Sequence, residues 1–434
     1  MNSVEAGVWG LTILGLAVFL FRMPISMALG VVGLGGIWYL SGPAKAMAVV
    51  TMSICDTSSL NRMTAIPVFV LLGSVCFYSG LNKRFFNSAQ KWLGHIRGGA
   101  AMAAILSSAG YSAICSTGPA TAAAMGVAAL PEMKKLKYPL FLSTSSVAGG
   151  TILGAILPPS LILLVLGLQA DQSIGRLFMG GLVPGLMLLI MFVLAIPLGC
   201  YDQLGWSQVN PKVDRIDRIL TMANWIELEI VLIVITMGLW FGRLTPTETG
   251  AGAAVLVILL NVLFRTLSWK QFVCSLMDTV RISSMIILLL VGVTVFGRFL
   301  VMTGLPQALV RLVTELRVPS LLILADIGIV LLFGGLIMEE LALLLITFPI
   351  FLPIITRLGY DPIWFSIVMV MVSKIGAFVP FSGSNMFVVA AVSRKASPLE
   401  VFNGMKLFLV PFILCLIVIT VFPQVVLFLP AFIK

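Results

Sequence analysis

A helix-breaking tip followed by a second break about 40 residues later occurs twice in this 434-residue chain, about 222 residues apart. The first copy is Cys115-Ser116-Thr117-Gly118-Pro119, then Leu157-Pro158-Pro159-Ser160. The second is Gly334-Gly335-Leu336-Ile337-Met338-Glu339-Glu340, then Val379-Pro380-Phe381-Ser382-Gly383. Gly80-Leu81 and Gly304-Leu305, 224 residues apart, add a third anchor, each closing an apolar helix. Interrupted apolar segments at matching places in two halves point to the binding site of a transporter.

Composition sets the class. Hydrophobic residues make up 60% of the chain and charged residues 10%, against about 25% charged in a soluble domain. Mean hydropathy is +1.12. Apolar runs such as Ile282–Val301, Leu177–Cys200 and Leu407–Leu429 reach the roughly 20 residues that cross a bilayer. The expected fold class is an all-α polytopic membrane protein, and no alternating strands of a β-barrel are evident. The net charge of +10 does not point to nucleic acid. Lys and Arg sit in short loops, including Lys134, Lys135 and Lys137, Arg265 and Lys270, and Arg394 and Lys395, as cytoplasmic loops do. The six cysteines stand singly, which reads as small buried hydrophobes, and the lone His95 cannot build a metal site. No HExxH, Gly-x-Ser-x-Gly or His/Asp constellation is present, so the chain is read as a non-enzyme. The first residues lack a basic start and a small-residue cleavage site, so the N-terminus is expected to remain as a membrane segment.

Apolar runs place spans at about 8–21, 24–40, 66–80, 139–167, 176–200, 225–242, 245–264, 282–302, 362–392 and 403–429. The half-apolar segments 43–62 and 265–281 are expected to lie along the membrane surface or brace the protein laterally. Residues 98–130 carry basic residues on both flanks (Arg97, then Lys134, Lys135 and Lys137), and 319–355 carry mixed charge. Each is expected to be a re-entrant helical hairpin, and the two enter from opposite sides. The expected organisation is an inverted repeat, 1–222 and 223–434, each half holding scaffold helices, a hairpin (98–130; 319–355) and a broken helix (139–167; 362–392).

Broken helices survive in lipid only where they line a protein cavity. Pro158, Pro159 and Pro380 supply no N–H and obstruct the preceding turn, so carbonyls freed there suit a dehydrated monovalent cation. The N-terminal ends of half-helices offer positive dipole ends to an anion. Such a site binds a cation and an organic anion together. Glu248 in Thr245-Pro246-Thr247-Glu248 is read as a helix cap, and Arg298 and Asp326 as members of ion pairs at helix interfaces.

The chain resembles the large membrane subunit of tripartite ATP-independent periplasmic (TRAP) transporters, the DctM or SiaM-like subunit. The matching stretches are Ala113-Ile114, Ala120-Thr121-Ala122-Ala123-Ala124-Met125-Gly126, Leu130-Pro131-Glu132-Met133-Lys134, Gly150 through Ser160, Thr245 through Glu248, Met338-Glu339, and Leu358-Gly359-Tyr360-Asp361-Pro362. The resemblance implies an elevator-type secondary transporter of the ion-transporter superfamily in the bacterial inner membrane. It would import an organic anion with sodium ions (Na+), working with a periplasmic substrate-binding protein and a separate small four-helix membrane subunit. C4-dicarboxylates, sialic acids, other sugar acids and small sulfonates are the substrate classes it leaves open. An autonomous sodium/anion symporter needing no binding protein is the alternative.

Carried onto this sequence, the resemblance implies a first sodium site from Ser116, Thr117, Gly118, Gly154, Leu157 and Pro158. Cys115 replaces a usual hydroxyl there, which Ser116 or Thr117 then supplies. The second site would use Glu339, where the family typically has Asp, with Gly335, Gly376, Val379 and Pro380; Val379 and Phe381 replace the common Thr and second Pro. The expected substrate contacts are Thr121, Pro159, Ser160, Lys374, Ser382 and Asn385. A lysine near the bilayer centre costs about 3 kcal/mol or more. Lys374 therefore either counters the substrate's carboxylate or sulfonate, or pairs internally with Glu340 or Glu339, or snorkels.

Overall fold

The computed structural model of the chain describes residues 3–59, 61–115, 118–199, 214, 217–218, 221, 225–240, 244–315, 319–379 and 384–433. Among these residues the regular structure is helical, without strands. The chain opens with α1 (Ser3–Phe19), α2 (Ile25–Ser41), α3 (Pro43–Ser59), α4 (Ala65–Tyr78) and α5 (Leu81–Leu93). The equivalent stretch of the second half is α11 (Ile226–Trp240), α12 (Pro246–Leu263), α13 (Trp269–Thr303) and α14 (Leu305–Glu315). The anchoring glycines are the same device in both halves. Gly80 (φ 73°) turns α4 into α5, and Gly304 (φ 70°) turns α13 into α14, a left-handed conformation that favours glycine.

Sequence explains the starts. Thr245 caps α12 in a capping box with Glu248, and Pro246 occupies its first turn, the role expected of Glu248. Ser268 and Gln271 cap α13 likewise. Without a break after that cap, α13 runs for 35 residues, roughly 50 Å at 1.5 Å per residue. Residues 269–281 are therefore not a separate surface helix but the first part of the span expected at 282–302. In the first half, by contrast, α3 and α4 are distinct helices separated by a 3-10 turn at Asn61–Thr64.

The remaining elements repeat in register. α6 (Gly99–Cys115) and α7 (Gly118–Lys135) pack together as a hairpin, followed by α8 (Leu140–Ile152), a 3-10 turn at Leu153–Ala155, α9 (Leu161–Gln169) and α10 (Ile174–Gly199). Their counterparts are the hairpin α15 (Ser320–Ile337) and α16 (Glu340–Arg357), then α17 (Pro362–Lys374), a 3-10 turn at Ile375–Phe378, α18 (Ser384–Ser393) and α19 (Pro398–Val421). α16 and α17 each start 222 residues after α7 and α8. Asp361 caps α17, its Oδ1 accepting from Ile363 N at 2.7 Å. The division expected at 222/223 lies outside the described residues.

The halves interlock. α8 packs on its own hairpin arm α6, and α17 on α15 and α16. Beyond each break the chain crosses to the other half: α9 packs on α16, where Gln169 Nε2 donates to Leu345 O at 3.0 Å, and α18 packs on α7 and α8. Around this assembly α2 packs on α13, and α4 on α12 and α13. An Arg298–Asp56 ion pair (2.6 Å) ties α13 to α3, as expected for Arg298. Asp326 departs from expectation: it is exposed on the outer face of α15 beside exposed Leu322, Ile329 and Phe333, and makes no ion pair among the described residues.

Six helices among the described residues are long and apolar enough to cross a membrane: α10, α12, α13, α15, α16 and α19. A seventh span follows if α4 and α5, bent by 67° to each other, are counted as one. The other expected spans appear as helices of 17 residues or fewer, such as α1, α2, α8 and α18. Both arms of the second hairpin are thus long enough to cross unaided.

Candidate functional site

A cavity of about 170 Å³ lies where both hairpins and both broken helices converge. Its first half is neutral. Ser112 of α6 donates to Thr151 O at 3.0 Å, and Gly154 sits against Ser112 Oγ so closely that a Cβ there would collide with it. At the start of α7, a Cβ on Gly118 would lie 2.6 Å from Asn385 Oδ1. Asn385, carried across on α18, donates through Nδ2 to Thr151 Oγ1 at 2.8 Å. Only glycine lets the hairpin, the broken helix and the crossing helix meet this closely.

The second half repeats the packing and adds charge. Gly376 lies against the Gly335 carbonyl, and a Cβ on Gly335 would lie 2.7 Å from Ser373 O. Glu339 and Glu340 stand at the N-terminus of α16, where the helix dipole favours negative charge. The buried Lys374 ammonium forms an ion pair with Glu340, and Ser373 Oγ, which donates to Val370 O at 2.9 Å, lies 3.3 Å from Glu340 Oε1. Of the alternatives for Lys374 the structure shows the internal pair with Glu340, and the same side chain also lines the cavity. Glu339 opens onto the cavity and makes no ion pair among the described residues. The formal charge of the three groups is one negative.

Gly118, Gly154, Gly335, Glu339, Lys374 and Asn385 thus share one cavity, and Gly376 buttresses it through Gly335. Other expected site residues are turned elsewhere. Leu157 packs on Gly185 of α10, and Pro158 and Pro159 do not line the cavity. Ser160 is buried as the cap of α9, accepting from Leu163 N (3.3 Å) and donating to Ala155 O (2.6 Å). Thr121 is buried one turn into α7, off the cavity, with no hydrogen bond to its hydroxyl among the described residues. Val379 donates its N–H to Gly376 O (3.1 Å) beyond the lining. Ser116, Thr117, Pro380 and Ser382 lie outside the described residues. Cys115 directs its thiol to Gly73 O of α4 at 3.4 Å, so its exchange for a hydroxyl does not alter the lining.

Sequence reasoning missed Ser112, Thr151 and Ser373 as site residues and gave Glu340 only a pairing role. The 222-residue register that relates Thr151 to Ser373 was the available signal. The oxygen set of Glu339, hydroxyls and backbone carbonyls suits a hard monovalent cation, as broken helices of transporters provide. No group of three or more His, Cys, Asp or Glu gathers among the described residues.

A sequence profile of the family described as "Tripartite ATP-independent periplasmic transporter, DctM component" matches residues 12–425. The chain is similar to the C4-dicarboxylate TRAP transporter large permease protein DctM of Pseudomonas aeruginosa, 31% identical over 381 residues, with 87% of this chain and 88% of that one covered. It is 32% identical over 404 residues to the isethionate TRAP transporter permease protein DctMQ of Oleidesulfovibrio alaskensis, with 92% of this chain and 62% of that longer one covered. Identity to the sialic acid TRAP transporter large permease protein SiaM of Vibrio cholerae is 30% over 370 residues, with 85% and 86% covered. In fold, the chain is similar to the crystal structure of the Alcanivorax borkumensis YdaH transporter, at a TM-score of 0.62 and 14% identity over 97% of this chain and 99% of that one.

Proposed function

Because this chain belongs to the family of DctM components, the large membrane subunits of TRAP transporters, we propose that it imports a small organic anion together with sodium across the bacterial inner membrane. The observation that carries this reading is the charge of the cavity: Glu340 is neutralised by Lys374, and Glu339 is left open. An anion entering such a cavity meets a net negative charge. Two like charges about 4 Å apart at an effective dielectric of about 20 repel by about 4 kcal/mol. A sodium ion at Glu339 removes that repulsion, so ion and anion enter together. The first half offers hydroxyl, amide and carbonyl groups around Gly118 and Gly154 for a second sodium.

The interlocked hairpins and broken helices form the moving unit of an elevator. The group of α2, α4, α12 and α13 forms the static scaffold. A separate small membrane subunit and a periplasmic binding protein complete the transporter. The C4-dicarboxylate, isethionate and sialic acid named for the relatives are the substrates to try first, and a cavity of about 170 Å³ favours the two smaller ones.

The test is uptake of these radiolabelled acids into proteoliposomes holding this chain and the small subunit, with the binding protein outside. Uptake is expected to require both sodium and the binding protein. Equal uptake with potassium overturns the sodium reading, and sodium-driven uptake without the binding protein identifies an autonomous symporter.

A further inference from the structure

The two halves of the cavity share one register, yet only the second carries fixed charge. Thr151 and Ile152 end α8 where Ser373 and Lys374 end α17, and Gly118 opens α7 where Glu340 opens α16. The first half therefore has isoleucine and glycine where the second has an ammonium and a carboxylate. Those two side chains are 11% and 15% exposed, and both face the cavity beside Glu339.

We propose that Lys374 is a tethered cation, whose ammonium holds the place a mobile cation would otherwise take against Glu340. Of the two adjacent carboxylates only Glu339 then recruits an ion from solution. The inference deepens the sodium-coupled reading above and rests on it for the identity of the mobile ion. The Glu340 carboxylate is only 15% exposed and needs a counter-charge, because an uncompensated buried charge is strongly destabilising, whereas Glu339 is exposed and can take its counter-ion from solution. Lys374 supplies the one for Glu340 from the facing broken helix. Unlike a sodium ion, this cation stays bound at any external concentration. With its charge spent on Glu340, it is not a free anchor for the substrate's acid group.

Equilibrium binding of radioactive sodium to the purified full-length chain tests this with Lys374→Gln, Glu340→Gln and the double variant. Lys374→Gln leaves Glu340 uncompensated and is expected to bind about one sodium ion more than wild type. The double variant is expected to return to the wild-type number. Glu340→Gln frees the ammonium to pair with Glu339 and is expected to bind about one sodium ion fewer. Lys374→Gln binding no more sodium than wild type overturns the proposal, as does Glu340→Gln keeping the wild-type number, which remains readable if the lysine variant does not fold. A wild type that binds no sodium, with a Lys374→Gln variant that does, supports the tethered cation while sinking sodium coupling in the native chain. A wild type that binds sodium with no gain in Lys374→Gln sinks the tethered cation alone.

Discussion

The first and second halves of the cavity are built alike in backbone and unlike in charge. Around Gly154 and Gly118 the contacts are a hydroxyl to a carbonyl, an amide to a hydroxyl, and glycines against neighbouring side chains. Around Gly376 and Gly335 the glycine contacts recur, a carboxylate–ammonium pair stands where the first half has glycine and isoleucine, and Glu339 beside it makes no ion pair among the described residues. On the sodium-coupled reading proposed above, a duplicated frame holds two ion sites of different strength: the half with a carboxylate would bind by charge, and the neutral half by the dipoles it aims.

The largest effects should ignore this difference. Gly154→Val and Gly376→Val both force a side chain into an occupied contact, Ser112 in one case and the Gly335 carbonyl in the other. Overpacking costs about 1–3 kcal/mol where neighbours can shift, and these neighbours include backbone. Each variant is expected to lose most folded protein in detergent, seen as loss of the monodisperse peak and of the thermal transition. If Gly376→Val melted like wild type, the close approach of α17 to α15 would not be part of the working structure.

The next effect should separate the halves. Glu339→Gln removes a charge-assisted ligand worth about 1.5–3 kcal/mol, so the sodium half-saturation of uptake should rise roughly 10- to 100-fold. Thr151→Val in the neutral half removes a hydroxyl that donates to Ala148 O and accepts from Asn385 Nδ2; as a neutral ion ligand it is worth about 0.5–1.5 kcal/mol, and its loss should raise the half-saturation by about tenfold at most. Equal shifts in the two variants would break the comparison. A smaller change is expected for Asn385→Ala, which cuts the crossing contact of α18 to Thr151 but leaves the glycine packing. It should lower thermal stability by about 1 kcal/mol and, as the loss of a neutral amide from the first half, raise the sodium half-saturation by no more than Thr151→Val does.

Much of the frame was legible in the sequence, because helix-breaking residues act locally. The tips, the breaks, the capping by Glu248 and the matching register of Gly80 and Gly304 follow from residues that end or start a helix wherever they occur. A lysine in an apolar span likewise announced that it needed a partner, and Glu340 was among those considered. What stayed hidden depends on packing between distant segments. Asn385 meets Thr151 across 234 residues because each broken helix crosses to the opposite hairpin, and no local pattern encodes that crossing. The uninterrupted α13 was obscured by the polar first third of its sequence, which resembles a surface helix until the capping box and the absence of Gly and Pro over residues 269–291 are weighed. Direction was hidden too: Cys115, Leu157 and Ser160 flank the breaks, but their side chains turn into α4, α10 and the α9 cap, and Thr121 is buried off the cavity lining.

Ser160 gives the smallest effect and a clean test of that last point. Its hydroxyl is committed inward, donating to Ala155 O at 2.6 Å and accepting from Leu163 N at 3.3 Å. Ser160→Ala should therefore behave as the loss of an N-cap, costing about 1 kcal/mol of stability. Substrate and sodium half-saturation should stay near wild type, since Ser160 does not line the cavity. A cap does one further thing here: directly after Pro158 and Pro159 it starts the crossing helix α9 by accepting from Leu163 N–H, which has no intrahelical partner. A thermal melt that falls while both half-saturations hold would assign Ser160 to that start. A several-fold rise in substrate half-saturation with an unchanged melt would instead return the residue to the substrate site and make the first half less neutral in function than its geometry indicates.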